Sequence, residues 1–132
     1  MGNGVRAVFA LGLLNLSWWR DRAWVTLPPN NPYVLSLAGR RRGVLVTLVL
    51  DTSECEGGES ERLHNVSVNF AATITAVQRS DGEYWYKVSV PLKISKMLVP
   101  LKGCVKAQVF IEPWLTTRKA TRATKPLGET RV

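Results

Sequence analysis

One order of elements is written into this chain twice. Residues 9–50 and 71–111 each read as a strand, a polar turn, a strand closing on proline, a short helix, a basic Gly-containing turn and a final strand. In the first stretch the turn is WWRDR, the strand AWVTLP ends at Pro28, and PNNPYVLSLAGRRRG leads into VLVTLVL. In the second the turn is RSDGE, whose Asp81-Gly82 pair favours a hairpin. There the strand YKVSVP ends at Pro91, and LKISKMLVPLKGC leads into VKAQVFI. Proline and turn glycine lie 15 residues apart in the first half (Pro28 to Gly43) and 12 in the second (Pro91 to Gly103). Any two β-rich stretches share Val, Thr and Pro, but six elements in a common order favour a true repeat. A unit of roughly 45 residues buries too little apolar surface to fold alone, whereas two interleaved units can share a core.

The blocks 5–16, 23–28, 43–50, 66–78, 84–90 and 104–111 have strand composition, rich in Val, Leu, Ile, Thr and aromatic residues. In the last block Val105, Ala107, Val109 and Ile111 share one face, and Lys106, Gln108 and Phe110 the other. In block 66–78, Thr73, Thr75 and Val77 alternate with Ile74, Ala76 and Gln78. Two short helices are predicted. One runs over 32–38, with Pro32 at the first helical position after Asn31 as cap. The other runs over 92–98, with Ile94 and Leu98 at i, i+4 and Lys93 and Lys96 facing away. The chain therefore reads as a mostly β domain: a first unit over 1–50, an acidic linker or loop over 51–65, a second unit over 66–114 and a basic tail over 115–132.

Charge separates these segments. The chain carries 18 Lys+Arg against 10 Asp+Glu, a net charge of +8. Residues 1–50 hold six Arg and one Asp, whereas DTSECEGGESER (51–62) holds five acids and one Arg. Its Gly and Ser content reads as a solvated loop between two basic halves. A strongly basic balance points to a polyanionic partner: DNA, RNA or an anionic membrane surface. One His and two widely spaced Cys are too few for an ordinary zinc site. Asp51, Glu54, Glu56, Glu59 and Glu61 lack the spacing of a Ca²⁺ loop. No Ser/His/acid set assembles around His64, and no Gly-rich phosphate loop opens a helix. No catalytic role, metal or cofactor is expected.

Residues 7–16 are apolar and follow Arg6, as in a signal peptide. The stretch is too short to span a bilayer, and Trp18 and Trp19 stand where a cleavage site wants small residues. MGNGVR places Arg6 where a myristoylation signal takes Ser or Thr. A buried strand is the better account. The expectation is a cytoplasmic protein, not membrane-bound, with reduced cysteines, although a thermophile could oxidise Cys55 and Cys104. Self-association stays open.

The second half resembles a known family. A polar hairpin, a strand closing on VSVP, the helix LKISKML, a turn with Lys102-Gly103 and an alternating last strand are similar to the SpoVT–AbrB swapped-hairpin module of the MazE and VapB type. Ile94, Leu98 and Gly103 fall three, seven and twelve positions after Pro91, matching the family pattern. The likeness covers 70–114, departs from it at Val99 and Cys104, and extends more weakly to 9–50. It implies a pseudo-two-fold, swapped-hairpin β-barrel in which one polypeptide supplies both hairpins of the usual dimer. It also implies duplex DNA held largely through phosphates by Arg79 on the hairpin arm, Lys87 before the Pro and Lys96 on the helix, with Lys93 and Lys102 beside them. The matching first-half positions are Ser17, Trp24 and Tyr33, and the charge has moved to Arg20, Arg22 and the run Arg40, Arg41 and Arg42. Three guanidinium groups in a tight turn between glycines favour a functional role over a merely solvated basic surface.

Aromatic residues flank both turns. Trp24 and Trp85 are expected to cover the core. Trp18 and Trp19 are adjacent and point to opposite faces, so at least one is exposed and fit to stack on a base. The tail, with Arg118, Lys119, Arg122 and Lys125, is too polar to pack a core. In it the chain resembles a ribosomal protein. Duplex DNA is thus the first expected partner, as for a regulator or architectural protein, and ribosomal RNA the second. An antitoxin-like or viral protein-interaction module ranks third, since such tails tend to be acidic and apolar.

Overall fold

A computed structural model describes residues 9–38 and 43–114. The order is β1 (Phe9–Asn15), β2 (Ser17–Trp19), β3 (Arg22–Leu27), α1 (Pro32–Ala38), β4 (Val44–Asp51), α2 (Gly58–Leu63), β5 (Ser67–Ala72), β6 (Thr75–Gln78), β7 (Tyr84–Ser89), α3 (Leu92–Leu98) and β8 (Lys106–Pro113), with a 3-10 turn at Val99–Leu101 before β8. The strands form two four-stranded antiparallel sheets, ordered β1-β8-β4-β5 and β2-β3-β7-β6. The first is called here the long sheet and the second the short sheet. The chain is mostly β, as its composition predicts, but the strands do not close into the expected barrel.

Alternation decides which face each strand buries. β4 buries Val44, Val46, Leu48 and Leu50, and β8 with its approach buries Val105, Ala107, Val109 and Ile111. The short sheet adds Ala23, Val25, Leu27 and Val88, so the two sheets share one core. Each Val, Leu or Ile among them contributes about 1.5–3 kcal/mol on leaving water. Leu48 pairs with Val109 at the centre of the long sheet.

Both predicted helices form over the predicted residues. Asn31 caps α1, its Oδ1 accepting the N–H groups of Tyr33 (2.9 Å) and Val34 (3.2 Å). In α3 the buried positions are Ser95 and Leu98, while Leu92 is exposed. Gly43 precedes β4 at φ 81°, and a Cβ there would lie 2.6 Å from the Ala72 carbonyl oxygen. Only glycine fits this approach.

Three expectations are corrected. Among the described residues there are three α-helices, not two, because the acidic stretch read as a loop folds into α2. Ser60 and Leu63 turn into the protein, Thr52 Oγ1 donates to the Ser60 carbonyl, and the Thr52 N–H donates to His64 Nδ1 at 3.1 Å. Secondly, block 66–78 is not one strand: it breaks at residues 73–74, where Ile74 turns inward. Thirdly, the cysteines are not reduced. Cys55 and Cys104 form a disulfide across 49 residues of sequence. The pairing follows from the β4–β8 register, which sets Asp51 opposite Lys106 and so brings the next residues of both segments together. Lys106 Nζ donates to Glu54 at 2.7 Å. That hydrogen bond, then the Glu54 charge, raises the Lys106 pKa above the ordinary lysine value. Among the described residues no helix is long and apolar enough to cross a membrane.

Candidate nucleic-acid interface

The outward face of the short sheet gathers the basic and aromatic residues of both halves. In β3 the side chains alternate, Ala23, Val25 and Leu27 going inward and Arg22, Trp24 and Thr26 outward. The register sets Trp24 opposite Ser89 and Thr26 opposite Lys87 on β7. It sets Ser17 opposite Trp24 and Trp19 opposite Arg22 on β2, and Thr75 opposite Lys87 and Val77 opposite Trp85 on β6. Directly opposed residues share a face. Side-chain bonds agree: Arg22 Nη1 donates to Ser89 Oγ at 2.8 Å, and Ser17 Oγ donates to the Trp24 carbonyl at 3.2 Å. This face carries Arg22 and Lys87 among Trp19, Trp24 and Trp85. The four strands contain no Asp or Glu.

The turns at the two ends add Arg20 and Arg79. Arg20 lies 4.7 Å over the Trp19 ring, and Arg79 lies 4.7 Å over the Trp85 ring. Arg79 is also held by Asp81 at 3.4 Å and Glu83 at 3.6 Å, so its charge is largely offset within its own hairpin. Arg20, Arg22 and Lys87 make no ion pair among the described residues. Trp19 is 63% exposed, whereas Trp18 packs partly against the core. Trp24 and Trp85 are half-buried, and their indole N–H groups are covered without an acceptor. They serve as packing, and Trp19 is the open tryptophan of this face.

Two devices hold this face in place. Ser95 on α3 is fully buried; its Oγ accepts the Ala23 N–H at 3.0 Å and donates to the Val90 carbonyl at 3.2 Å. It pins α3 to β3 and to the end of β7. Lys102 braces the β2–β3 turn: its Nζ donates to the Arg20 carbonyl at 3.1 Å, lies 3.9 Å from Asp21 and sits 5.3 Å over the Trp18 ring. The sequence singles out Lys102 as a phosphate ligand, but the structure spends it on this turn.

Lys93 and Lys96 are exposed on α3. Arg40, Arg41, Arg42, Arg118, Lys119, Arg122 and Lys125 lie outside the described residues. Sequence reasoning missed Ser95 as a positioning residue; its only signal is a hydroxyl beside Ile94 and three residues before Leu98 on the apolar stripe of a short helix. No three His, Cys, Asp or Glu among the described residues cluster as metal ligands do. Searches against known protein families, curated proteins and solved structures find no match to this chain.

Proposed function

We propose that this protein binds nucleic acid, with duplex DNA as its first ligand, through the outward face of the short sheet. The observation that carries the reading is the gathering of Arg22, Lys87 and Arg20 among tryptophans on strands free of carboxylates. Such a face attracts phosphate oxygens, and the acids near it, Asp21, Asp81 and Glu83, stand in the end turns, each in an ion pair with Lys102 or Arg79. Lys93 and Lys96 on α3, the Arg40–Arg42 turn and the basic tail extend the charge on sequence grounds.

We further propose that the fold is the pseudo-two-fold, swapped-hairpin pair that the sequence repeat suggests. This is supported by the strand orders: exchanging β1–β4 for β5–β8, number by number, leaves both unchanged. Gly43 and Gly103, which precede the last strand of each half, both take positive φ, 81° and 92°. In this reading the protein acts as an AbrB-like regulator or architectural protein whose two halves present unequal basic surfaces.

The test is duplex binding by fluorescence anisotropy across a salt series. The log affinity falls with log salt by about 0.9 per phosphate neutralised. Replacing both Arg22→Ala and Lys87→Ala lowers that slope by roughly 1.8, and melting stays near the parent value. Replacing Arg40→Ala, Arg41→Ala and Arg42→Ala together lowers it further. Duplex affinity no better than that of a random polycation of equal charge overturns the proposal. Preference for ribosomal RNA over duplex DNA in the same assay keeps the face and changes the ligand.

A further inference from the structure

The two tryptophan–arginine pairs at the ends of the face differ in what they leave open. At the β6–β7 end the Trp85 ring is half-buried and Arg79 is neutralised by Asp81 and Glu83. At the β2–β3 end the Trp19 ring is 63% exposed and Arg20 has no carboxylate partner among the described residues. Arg20 also stands at φ 59° in the two-residue turn between Trp19 and Arg22. Glycine is the ordinary occupant of that conformation, because a Cβ crowds the neighbouring carbonyl. The chain places an arginine there and braces its carbonyl with Lys102. Strain of this kind persists where the surroundings impose it, and it concentrates at ligand sites.

We infer that the Trp19–Arg20 corner is a stacking platform for an unpaired nucleobase, so that the protein takes hold of single-stranded nucleic acid as well as duplex. The inference rests on the nucleic-acid reading of the face. An exposed indole presents a flat apolar surface that any base can cover. Arg20 lies on that ring and supplies a planar cation for the base or its phosphate. Arg22, directly across the ladder from Trp19, stands where the next phosphate would follow. At the opposite corner Trp85 is half-buried and Arg79 is paired with two carboxylates. The exposed ring there, Tyr84, alternates to the other face of β7 from Trp85 and Lys87, so it lies off the basic face.

The experiment compares a labelled 15-nucleotide oligo(dT) with a 15-base-pair duplex, each titrated with the full chain at low salt. Trp19→Ala weakens oligo(dT) binding at least about five-fold and duplex binding less than two-fold. Trp19→Phe keeps most of the single-strand affinity. Arg20→Gly also weakens oligo(dT) binding while raising the melting temperature, since glycine relieves the turn. Duplex binding without oligo(dT) binding, or equal loss of both in Trp19→Ala, overturns the inference and leaves the nucleic-acid reading standing. Binding of neither by the parent chain overturns both.

Discussion

The long and short sheets share one core and one pattern of strand order, yet only the long sheet carries a covalent tie among the described residues. The long sheet ends in a covalent and an ionic tie: the Cys55–Cys104 disulfide and the Lys106–Glu54 pair. The short sheet is held by a buried serine hydroxyl, a lysine laid along one end turn and the Arg79 ion pairs in the other. The acids cluster with the first and are missing from the strands of the second. The lesson is a division of labour. The covalent tie lies among the acids, and the proposed binding face is held by noncovalent contacts alone.

Substitutions can break or sharpen that contrast. The largest effect is expected from Leu48→Ala in the centre of the long sheet, which should cost about 2–5 kcal/mol in urea unfolding. Next is Cys55→Ser with Cys104→Ser. Opening a loop of this length should cost about 2–4 kcal/mol, read as a lower melting temperature that added reductant does not lower further. Duplex affinity measured well below that temperature should stay within about two-fold. A parallel fall would show that the long sheet supports the binding face and would end the division proposed here. Ser95→Ala should cost about 1–3 kcal/mol by stranding the Ala23 N–H. Unlike the disulfide change, it should also weaken duplex binding, because β3 loses its tie to α3.

The smallest effect is on pH dependence. The Asp51 carboxyl is held below the ordinary carboxylate range, chiefly by the Ser53 N–H and hydroxyl, with His64 and Lys106 adding charge. The contribution of a carboxylate with a depressed folded pKa is fully present above its unfolded pKa and lost as pH falls through the folded value. Acid titration of the urea midpoint should therefore show a shallower fall in Asp51→Asn than in the parent. Lys106 has the opposite sign: its raised pKa contributes below the ordinary lysine value and is lost as pH rises through the folded one.

The sequence made both seven-residue helices legible because each follows a proline-ended strand, and because Asn31 and Pro32 form a start signal. Inward positions were readable wherever alternation was strict, as from Val105 to Ile111. The α2 helix was not, since its six residues hold one apolar side chain, Leu63, and no periodicity. The disulfide was not, because partnership between Cys55 and Cys104 depends on the register of strands distant in sequence. Residue types at the candidate site were readable, but their sharing of a face was not: Arg22 and Lys87 meet only through the β3–β7 ladder. The offset of Arg79 was present in its own turn, RSDGE, where the two acids stand two and four residues away.

The position of β1 has a consequence for how the molecule comes into being. That strand lies at the sheet edge and hydrogen-bonds to β8, the last strand described. On the ribosome, the apolar segment of β1 must wait for residues 106–113 to emerge. At ordinary elongation rates that wait is roughly 5–20 seconds. The central pairs β4–β8 and β3–β7 likewise draw one strand from each half of the chain, so neither half can fold during synthesis and hand a finished template to the other. Folding of this kind is slow, because distant segments must meet before any sheet repays the entropy of closing the loop. Until then the apolar residues of β1 have no strand to pair with, and the order of synthesis sets how long they stay unpaired.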